Sequence, residues 1–340
     1  MLIPIENLYT EPAFNLALEE YVHGYFPTEH DYLVLWQNEP AVIVGRFQNT
    51  LEEVNQEYVD SHGVRVVRRR SGGGAVYHDL GNLNFTLVVQ SEGGRSSFQR
   101  FLDPIAATLR RLGVPAETTS RNDLSVEGRK FSGNAQFIQG GRLMHHGTIL
   151  FDANLENVQR ALHVDPEKVE SHGVKSVRSR VTNLRPYLPQ GFTLGDLRLA
   201  LLAGIAQEYG GVGRTIQLDE GQLAKVHRLR EQRYARWEWN YGDSPRFTLQ
   251  RRRRFGPGTV DVRLDVASGR IQTCRIYGDF FGQRDIGELE AALGGCRHRR
   301  DDVDAALRRL PVEEYLGGVT SEDLIALICA RTAAPPQQAS

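Results

Sequence analysis

Three consecutive glycines, Gly72, Gly73 and Gly74, stand between two β-rich runs, VRVV before them and NFTLVV after. No other stretch constrains the chain as much. Residues without a Cβ let the backbone turn with positive φ and bring its N–H groups close to a ligand. Arg68, Arg69 and Arg70 lead into the turn, and His78 and Asp79 leave it. Charge on both rims of a backbone cradle, held between apolar strands, suits a phosphate or a carboxylate. A glycine-rich hairpin with a solvated arginine run is the plainer alternative, because a lone Gly-rich loop is weak support for a site.

With 340 residues, 40% of them hydrophobic and 24% charged, the chain is long enough for two domains with sizeable cores. A formal charge of -1 argues against a general nucleic-acid binder, whose phosphate contacts usually leave a basic excess. The opening MLIPIENLYTEP has neither a basic nor an apolar leader pattern, and no run reaches the roughly 18 apolar residues of a membrane span. The expectation is a cytoplasmic protein with no nucleic-acid and no membrane partner. Cys274, Cys296 and Cys329 are odd in number and widely spaced, so they suggest neither a disulfide framework nor a metal site.

In chain order, PAFNLALEEYVHGYF has helical spacing, with Glu19 and Glu20 read as added charge. DYLVLWQ and AVIVG are short strands. TLEEVNQEYVDSHG reads as one helix, with Thr50 as its N-cap and Gly63 as its stop. SSFQRFLDPIAATLRRLG is a helix that Pro104 could kink or divide. Two helical patterns after Thr193 close a large domain, and WNYGDSPRF breaks the periodicity. The boundaries expected are a catalytic domain over 1–241, a linker over 242–246, a small α+β domain over 247–331 and a flexible tail over 332–340. In the small domain, Arg251 to Arg254 divide between the two faces of a strand, and an edge or solvated surface is the reading preferred.

A second polar cluster runs from Arg121 to Thr148, a meander of strands turning at Gly128 and at Gly140-Gly141. Lys130 stands just past the first turn, beside Ser132, Gly133 and Asn134. His145 and His146 are adjacent on a strand, so they point to opposite faces and at most one can face a given site.

Taken together, NLALEE (Asn15 to Glu20), LWQNEPAVIVGRFQN (Leu35 to Asn49), the glycine stretch from Arg69 to Phe85, RNDL with GRKFSGNA, HHGT and SVRSRVTNL (Ser176 to Leu184) resemble the lipoate–protein ligases of the A type over nearly the whole chain. The resemblance implies an α+β fold: a large domain of mixed sheets with flanking helices, shared with biotin–protein ligases, and a small C-terminal accessory domain. The activity implied uses ATP and Mg²⁺ to activate lipoate to lipoyl-AMP. The lipoyl group then passes to a lysine of an acceptor, which would be a lipoyl domain of a 2-oxoacid dehydrogenase E2 subunit or the glycine-cleavage H protein.

Carried onto this sequence, the family's catalytic lysine falls on Lys130, holding carboxylate and α-phosphate together as a compact point charge. Lipoate binding falls on Arg70, Ser71, Gly72, Gly73, Gly74, Ala75 and His78. ATP binding falls on Arg70, Val76, Tyr77, His78, Asp79, Asn82, Asn122, Asp123, Lys130, Ser132, Gly133, Ala135, His146 and Thr148, with Asp123 on the Mg²⁺ side. Ser176, Val177, Arg178, Ser179, Arg180 and Val181 fall on a loop that covers the adenylate. Where the family sometimes offers a basic residue after the lysine, this chain has Gln136 and Phe137.

Three rival readings stand beside this one. An octanoyltransferase of the same fold would need an activated thiol in the large domain, and every cysteine lies later. A biotin–protein ligase typically carries a GRGR-like loop in place of RRRSGGG. A nucleotide- or RNA-binding module without catalysis leaves Lys130, Asn122-Asp123 and HHGT without a task.

Overall fold

The computed structural model describes residues 1–91, 97–119, 122–162, 181–241, 249–267 and 269–330. Compact units are two: one comprises Met1–Ser71 and Ala75–Gly242, the other Asp243–Ser340 with Gly72–Gly74.

The first unit is built on strands β1 (Leu2–Ile5), β2 (Asp31–Trp36), β3 (Ala41–Val44), β4 (Arg65–Arg68), β5 (Val76–His78), β6 (Asn82–Gln90), β7 (Ala116–Thr119), β8 (Asp123–Val126), β9 (Arg129–Gln139) and β10 (Arg142–Leu150). Seven of them form one sheet in the order β1-β2-β6-β10-β9-β8-β7, and three form another in the order β4-β3-β5. Both mix parallel and antiparallel pairs: β1 with β2 and β3 with β4 are parallel, β6 with β10 and β10 with β9 antiparallel.

Alternation along β6 shows why the large sheet has two unlike faces. Leu83, Phe85, Leu87 and Val89 join a core with Phe131, Leu143 and Ile149 from the neighbouring strands. That core is closed by the helices Gln99–Arg111 and Leu194–Glu208, which supply Leu102, Ile105, Leu109, Leu197 and Leu201. Each such side chain, fully buried, contributes on the order of 1.5–3 kcal/mol. The intervening residues Asn82, Asn84 and Thr86 are just as buried, but polar, and lie on the opposite face.

That polar face is partly covered by the helix Pro12–Tyr25, whose Phe14, Leu18 and Val22 pack with Val34, Trp36, Val88 and Met144. Proline at its start and Glu11 accepting from the Phe14 N–H define the N-terminus. A third cluster, with Val42, Val44, Tyr58 and Tyr77, packs under the β4-β3-β5 sheet.

Two expectations about helices differ from what is seen. TLEEVNQEYVDSHG is not one helix: Thr50–Glu53 and Gln56–Ser61 are separated by an extended Val54, which bridges Leu162, and Asn55 caps the second by accepting from the Tyr58 N–H. Asn49, not Thr50, occupies the first N-cap position. Pro104, by contrast, does not divide Gln99–Arg111, and the Thr108 hydroxyl donates to the Pro104 carbonyl.

The second unit carries a sheet of β11 (Leu249–Phe255), β12 (Gly258–Ala267) and β13 (Arg270–Gly278) in that order, all antiparallel. Helices Ile286–Leu293, Arg300–Leu307, Val312–Tyr315 and Ser321–Ile328 follow. β11 is an edge strand, and Arg252, Arg253 and Arg254 on it are exposed. Cys274 is buried while Cys296 and Cys329 are half-buried; all three are free thiols, and burial pushes each above its ordinary value.

Candidate active site

Lys130 owes its position to a hairpin. Glu127 and Gly128 both take positive φ, 51° and 71°, which is the backbone of a tight turn between β8 and β9. A bulge between Leu124 and Ser125 then shifts the register. The Lys130 ammonium sits 2.7 Å from Asp123 Oδ1, with its side chain 42% exposed. Gly133 makes room for it, since a Cβ there would lie 2.9 Å from Lys130 Nζ. The Gly133 N–H donates to Thr148 Oγ1 at 3.2 Å. Asn122 and Asn134 clip the strands together: Asn122 Nδ2 donates to the Asn134 carbonyl at 2.8 Å and Asn134 Nδ2 to the Asn122 carbonyl at 3.0 Å. Asn134 Nδ2 also donates to Ser132 Oγ. Beyond β9, the Thr182 N–H donates to the Lys130 carbonyl, and Val181 bridges Lys130. Ser176, Val177, Arg178, Ser179 and Arg180 lie outside the described residues.

His146 and Thr148 share a face with Thr86 and Asn84, their cross-strand partners on β6. His145 points the other way, stacked on Phe101 at 4.5 Å between ring centroids. It is held neutral by burial, with Gln136 Nε2 at 3.0 Å from its Nδ1. His146 instead anchors a buried relay. Its Nδ1 is 2.8 Å from Glu19 Oε1 and its Nε2 2.6 Å from Ser71 Oγ. Arg69 Nε donates to Ser71 Oγ at 3.0 Å, the Thr86 hydroxyl donates to Glu19, and Trp36 Nε1 donates to Thr86 Oγ1 at 2.9 Å. Every member of the relay is buried.

The arginine run is not a solvated one. Arg68 donates to the carbonyls of Gly45, Gln48, Trp239 and Asn240 and to Thr50 Oγ1, so it clamps the backbone around it. Arg69 donates to the Ile43 carbonyl and is wholly buried; burial lowers its guanidinium to about 10, against the raising effect of Glu19. Arg70 is the most exposed of the three, lying over the Phe137 ring at 4.2 Å with Glu20 Oε1 at 3.4 Å. Phe137 thus meets a guanidinium where the family resemblance suggested a base. Gly73, with φ 93°, is in the left-handed region that a side chain resists.

His78 stands edge-on to Trp36, and its Nδ1 is 3.0 Å from Asn38 Nδ2. Burial first, then Arg69 and His146, lowers it to about 3, so it is a neutral imidazole. Its Nε2, together with Asn82 Oδ1 and Asn84 Nδ2, is buried without a hydrogen-bond partner among the described residues. Orphaned polar atoms of this kind are costly unless a ligand supplies what they lack.

Other candidate residues lie differently. Tyr77 packs in the third cluster, its hydroxyl accepting from Asn157 Nδ2, and Asp79 caps a turn by accepting from the Gly81 and Asn154 N–H groups. Val76 and Ala75 pack partly buried at the edges of the clusters, and Ala135 is the cross-strand partner of His146. No cluster of three or more metal-ligating side chains occurs among the described residues, and none of the described helices is long and apolar enough to cross a membrane. Glu19, Thr86 and Asn38 were not singled out from sequence. The available signal was a Glu-Glu pair inside a helix that is apolar at nearly every other position.

Residues 11–206 match the lipoyl protein ligase A/B catalytic domain and residues 244–328 the bacterial lipoate protein ligase C-terminus. Lipoate-protein ligase LplJ of Bacillus subtilis is 43% identical over 331 residues, covering 96% of this chain and 99% of that protein. Among solved structures, the bipartite lipoate protein ligase of Thermoplasma acidophilum, studied with its E2 lipoyl domain, has 28% identity and a TM-score of 0.64, covering 73% of this chain and 98% of that one. A lipoate-protein ligase A bound with ATP has 26% identity and a TM-score of 0.61, covering 71% and 96%. On the strength of both domain matches and a relative 43% identical along nearly its whole length, the chain belongs to the lipoate–protein ligase family.

Proposed function

We propose that this chain condenses lipoate with ATP to lipoyl-AMP, releasing pyrophosphate, and transfers the lipoyl group to a lysine of a lipoyl-domain acceptor. What carries the reading is Lys130: a partly exposed ammonium over a glycine, steadied by one carboxylate, at the margin of a face with orphaned polar atoms. Two anions have to meet for adenylation, and a compact cation between them offsets the charge that builds on the phosphoryl oxygens. The carboxylate of lipoate would lie against the loop from Arg70 to Ala75 and His78. The nucleotide would lie along Val76 to Asp79, Asn82, Asn122, Asp123, Ser132, Gly133, Ala135, His146 and Thr148.

Mg²⁺ would arrive with ATP as part of that substrate. It commonly keeps phosphate and water ligands with only one or two carboxylates, and the single carboxylate of Asp123 beside Lys130 fits that pattern. Val181, and residues 176–180 before it, would cover the adenylate and keep water from the anhydride. E2 lipoyl domains and the glycine-cleavage H protein are the acceptors proposed, in the cytoplasm, with domain boundaries at 1–241 and 247–331. The thiols support an adenylate route over a thioester one, since burial pushes all three up and none lies in the first unit.

The test is intact-mass measurement of a lipoyl domain incubated with the protein, ATP, Mg²⁺ and lipoate. One lipoyl group joined through an amide, absent when ATP is omitted, is the expected outcome. An unmodified domain, or modification that does not need ATP, would contradict the proposal.

A further inference from the structure

We infer that binding of a carboxylate at Ser71 is coupled to the uptake of one proton by His146, with Glu19 as the positioning residue that makes the uptake possible. The inference rests on the proposed function only in taking the loop at Ser71 as the seat of the lipoate carboxylate.

A serine hydroxyl has one proton to donate and two lone pairs with which to accept. Arg69 Nε already occupies one lone pair at 3.0 Å. Glu19 Oε1 lies 2.8 Å from His146 Nδ1 and Ser71 Oγ lies 2.6 Å from its Nε2, so in a ring with one proton that proton belongs on Nδ1 and Nε2 accepts from the Ser71 hydroxyl. Without ligand the relay is therefore complete: Arg69 to Ser71, Ser71 to His146, His146 to Glu19.

A carboxylate reaching Ser71 needs the one proton that the hydroxyl has. Turning it to the ligand leaves His146 Nε2 a bare, buried acceptor, which is costly. Moving the ring proton from Nδ1 to Nε2 does not help, because a bare Nδ1 would then face the Glu19 carboxylate. A second proton on the ring satisfies every atom. Nε2–H donates to the second lone pair of Ser71, Nδ1–H stays on Glu19, and the Ser71 hydroxyl donates to the ligand.

Charge is balanced in the same step. The groups facing His146 are Glu19 from the helix Pro12–Tyr25, Arg69 and Ser71 after β4, His78 from β5 and Thr86 from β6. His78 is neutral, so Arg69 and Glu19 offset each other before the ligand arrives. Arg70 and Lys130 are already paired with carboxylates of their own, Glu20 and Asp123, so an incoming anion with an incoming proton keeps the charge balanced, whereas the anion alone does not.

The experiment is calorimetric titration of the full chain with lipoate at roughly pH 7.5, where the ligand is ionised, in phosphate and in Tris, whose ionisation enthalpies differ. The expected result is uptake of about one proton per lipoate bound and affinity that weakens towards tenfold per pH unit as pH rises. Lipoamide, which lacks the charge, should bind with no uptake. In His146→Gln, whatever affinity remains should not vary with pH, and Glu19→Gln should reduce the uptake. Should either variant fail to fold, the wild-type comparison of lipoate with lipoamide decides alone. Lipoate binding without proton exchange, or equal uptake with lipoamide, would overturn the inference while leaving the ligase reading standing. No lipoate binding at all would overturn both.

Discussion

Both faces of the β6, β9 and β10 sheet hide most of their side chains, and they differ in what burial does. On one, Leu83, Phe85, Leu87, Phe131, Leu143 and Ile149 pack with two helices, and even His145 is absorbed, stacked between aromatic rings and neutral. On the other, Asn82, Asn84, Thr86 and His146 are interior polar groups beside a half-buried Thr148, several tied into one relay and others left without a partner. The first face gains free energy from the apolar groups it hides, with His145 as its exception; the second gives some up to hold groups in fixed directions before a ligand arrives. Stability and activity should therefore be separable by substituting neighbours that point opposite ways.

Lys130 and Phe131 offer the sharpest separation. Phe131 is fully buried in the apolar core, so Phe131→Ala should cost about 3–5 kcal/mol of stability in a denaturant titration. Lys130→Ala should instead leave the unfolding midpoint nearly unchanged and lower the adenylation rate by about 10²–10³, or about 2.7–4 kcal/mol, as when one oxyanion donor is removed. Lys130→Arg should fail as well, because a planar fork does not replace a point charge in a narrow site. A Lys130→Ala protein that unfolds as readily as Phe131→Ala would erase the contrast between the faces.

Acid should act on the buried histidines. His78 is lowered to about 3 and His23 to about 4, in each case chiefly by burial, against an ordinary value of 6.5. As pH falls below 6.5 the unfolded chain takes up these protons and the folded chain does not, so stability is present above that value. It is lost from pH 6.5 down to about 4 for His23 and about 3 for His78. The slope is of the order of 1.4 kcal/mol per pH unit for each group. Thermal melts across that range check the sign, and His23→Gln should flatten part of the slope. A melting temperature that rises on acidification would contradict the neutral assignment.

The smallest effect is expected at the thiols. Replacing Cys274, Cys296 and Cys329 together by Ala should leave most of the lipoyl transfer intact, with a modest loss of stability from Cys274, the one that is buried. Transfer that disappears in this variant, with an acyl adduct visible on the wild type by denaturing mass spectrometry, would point to a thioester route.

Much of this was legible in the sequence, and what was missed has a physical cause. Apolar β-rich runs marked the strands around the glycine loop, and the opposite facing of His145 and His146 follows from strand geometry alone. The resemblance pointed to Lys130 and the glycine loop. Arg68 and Arg69 read as ligand-facing charge on the rim of the glycine cradle, with a solvated run as the alternative, and neither reading placed them inside, because charged residues are rarely interior. Here, backbone carbonyls and a serine take up the guanidinium donors, partners that come from residues as distant in the chain as Asn240. Glu19 read only as added charge on a helix, since its partners His146 and Thr86 lie on strands far along the chain. Val54 interrupts a helix because of a long-range bridge to Leu162, which no local periodicity records.

The most direct test of the central claim is exchange of labelled pyrophosphate into ATP by the purified chain, with and without lipoate, beside Lys130→Ala. Exchange that requires lipoate and falls by two orders of magnitude or more in the variant is the expected result. Exchange that is absent in the wild type, or that proceeds equally well without lipoate or without the Lys130 ammonium, would contradict it.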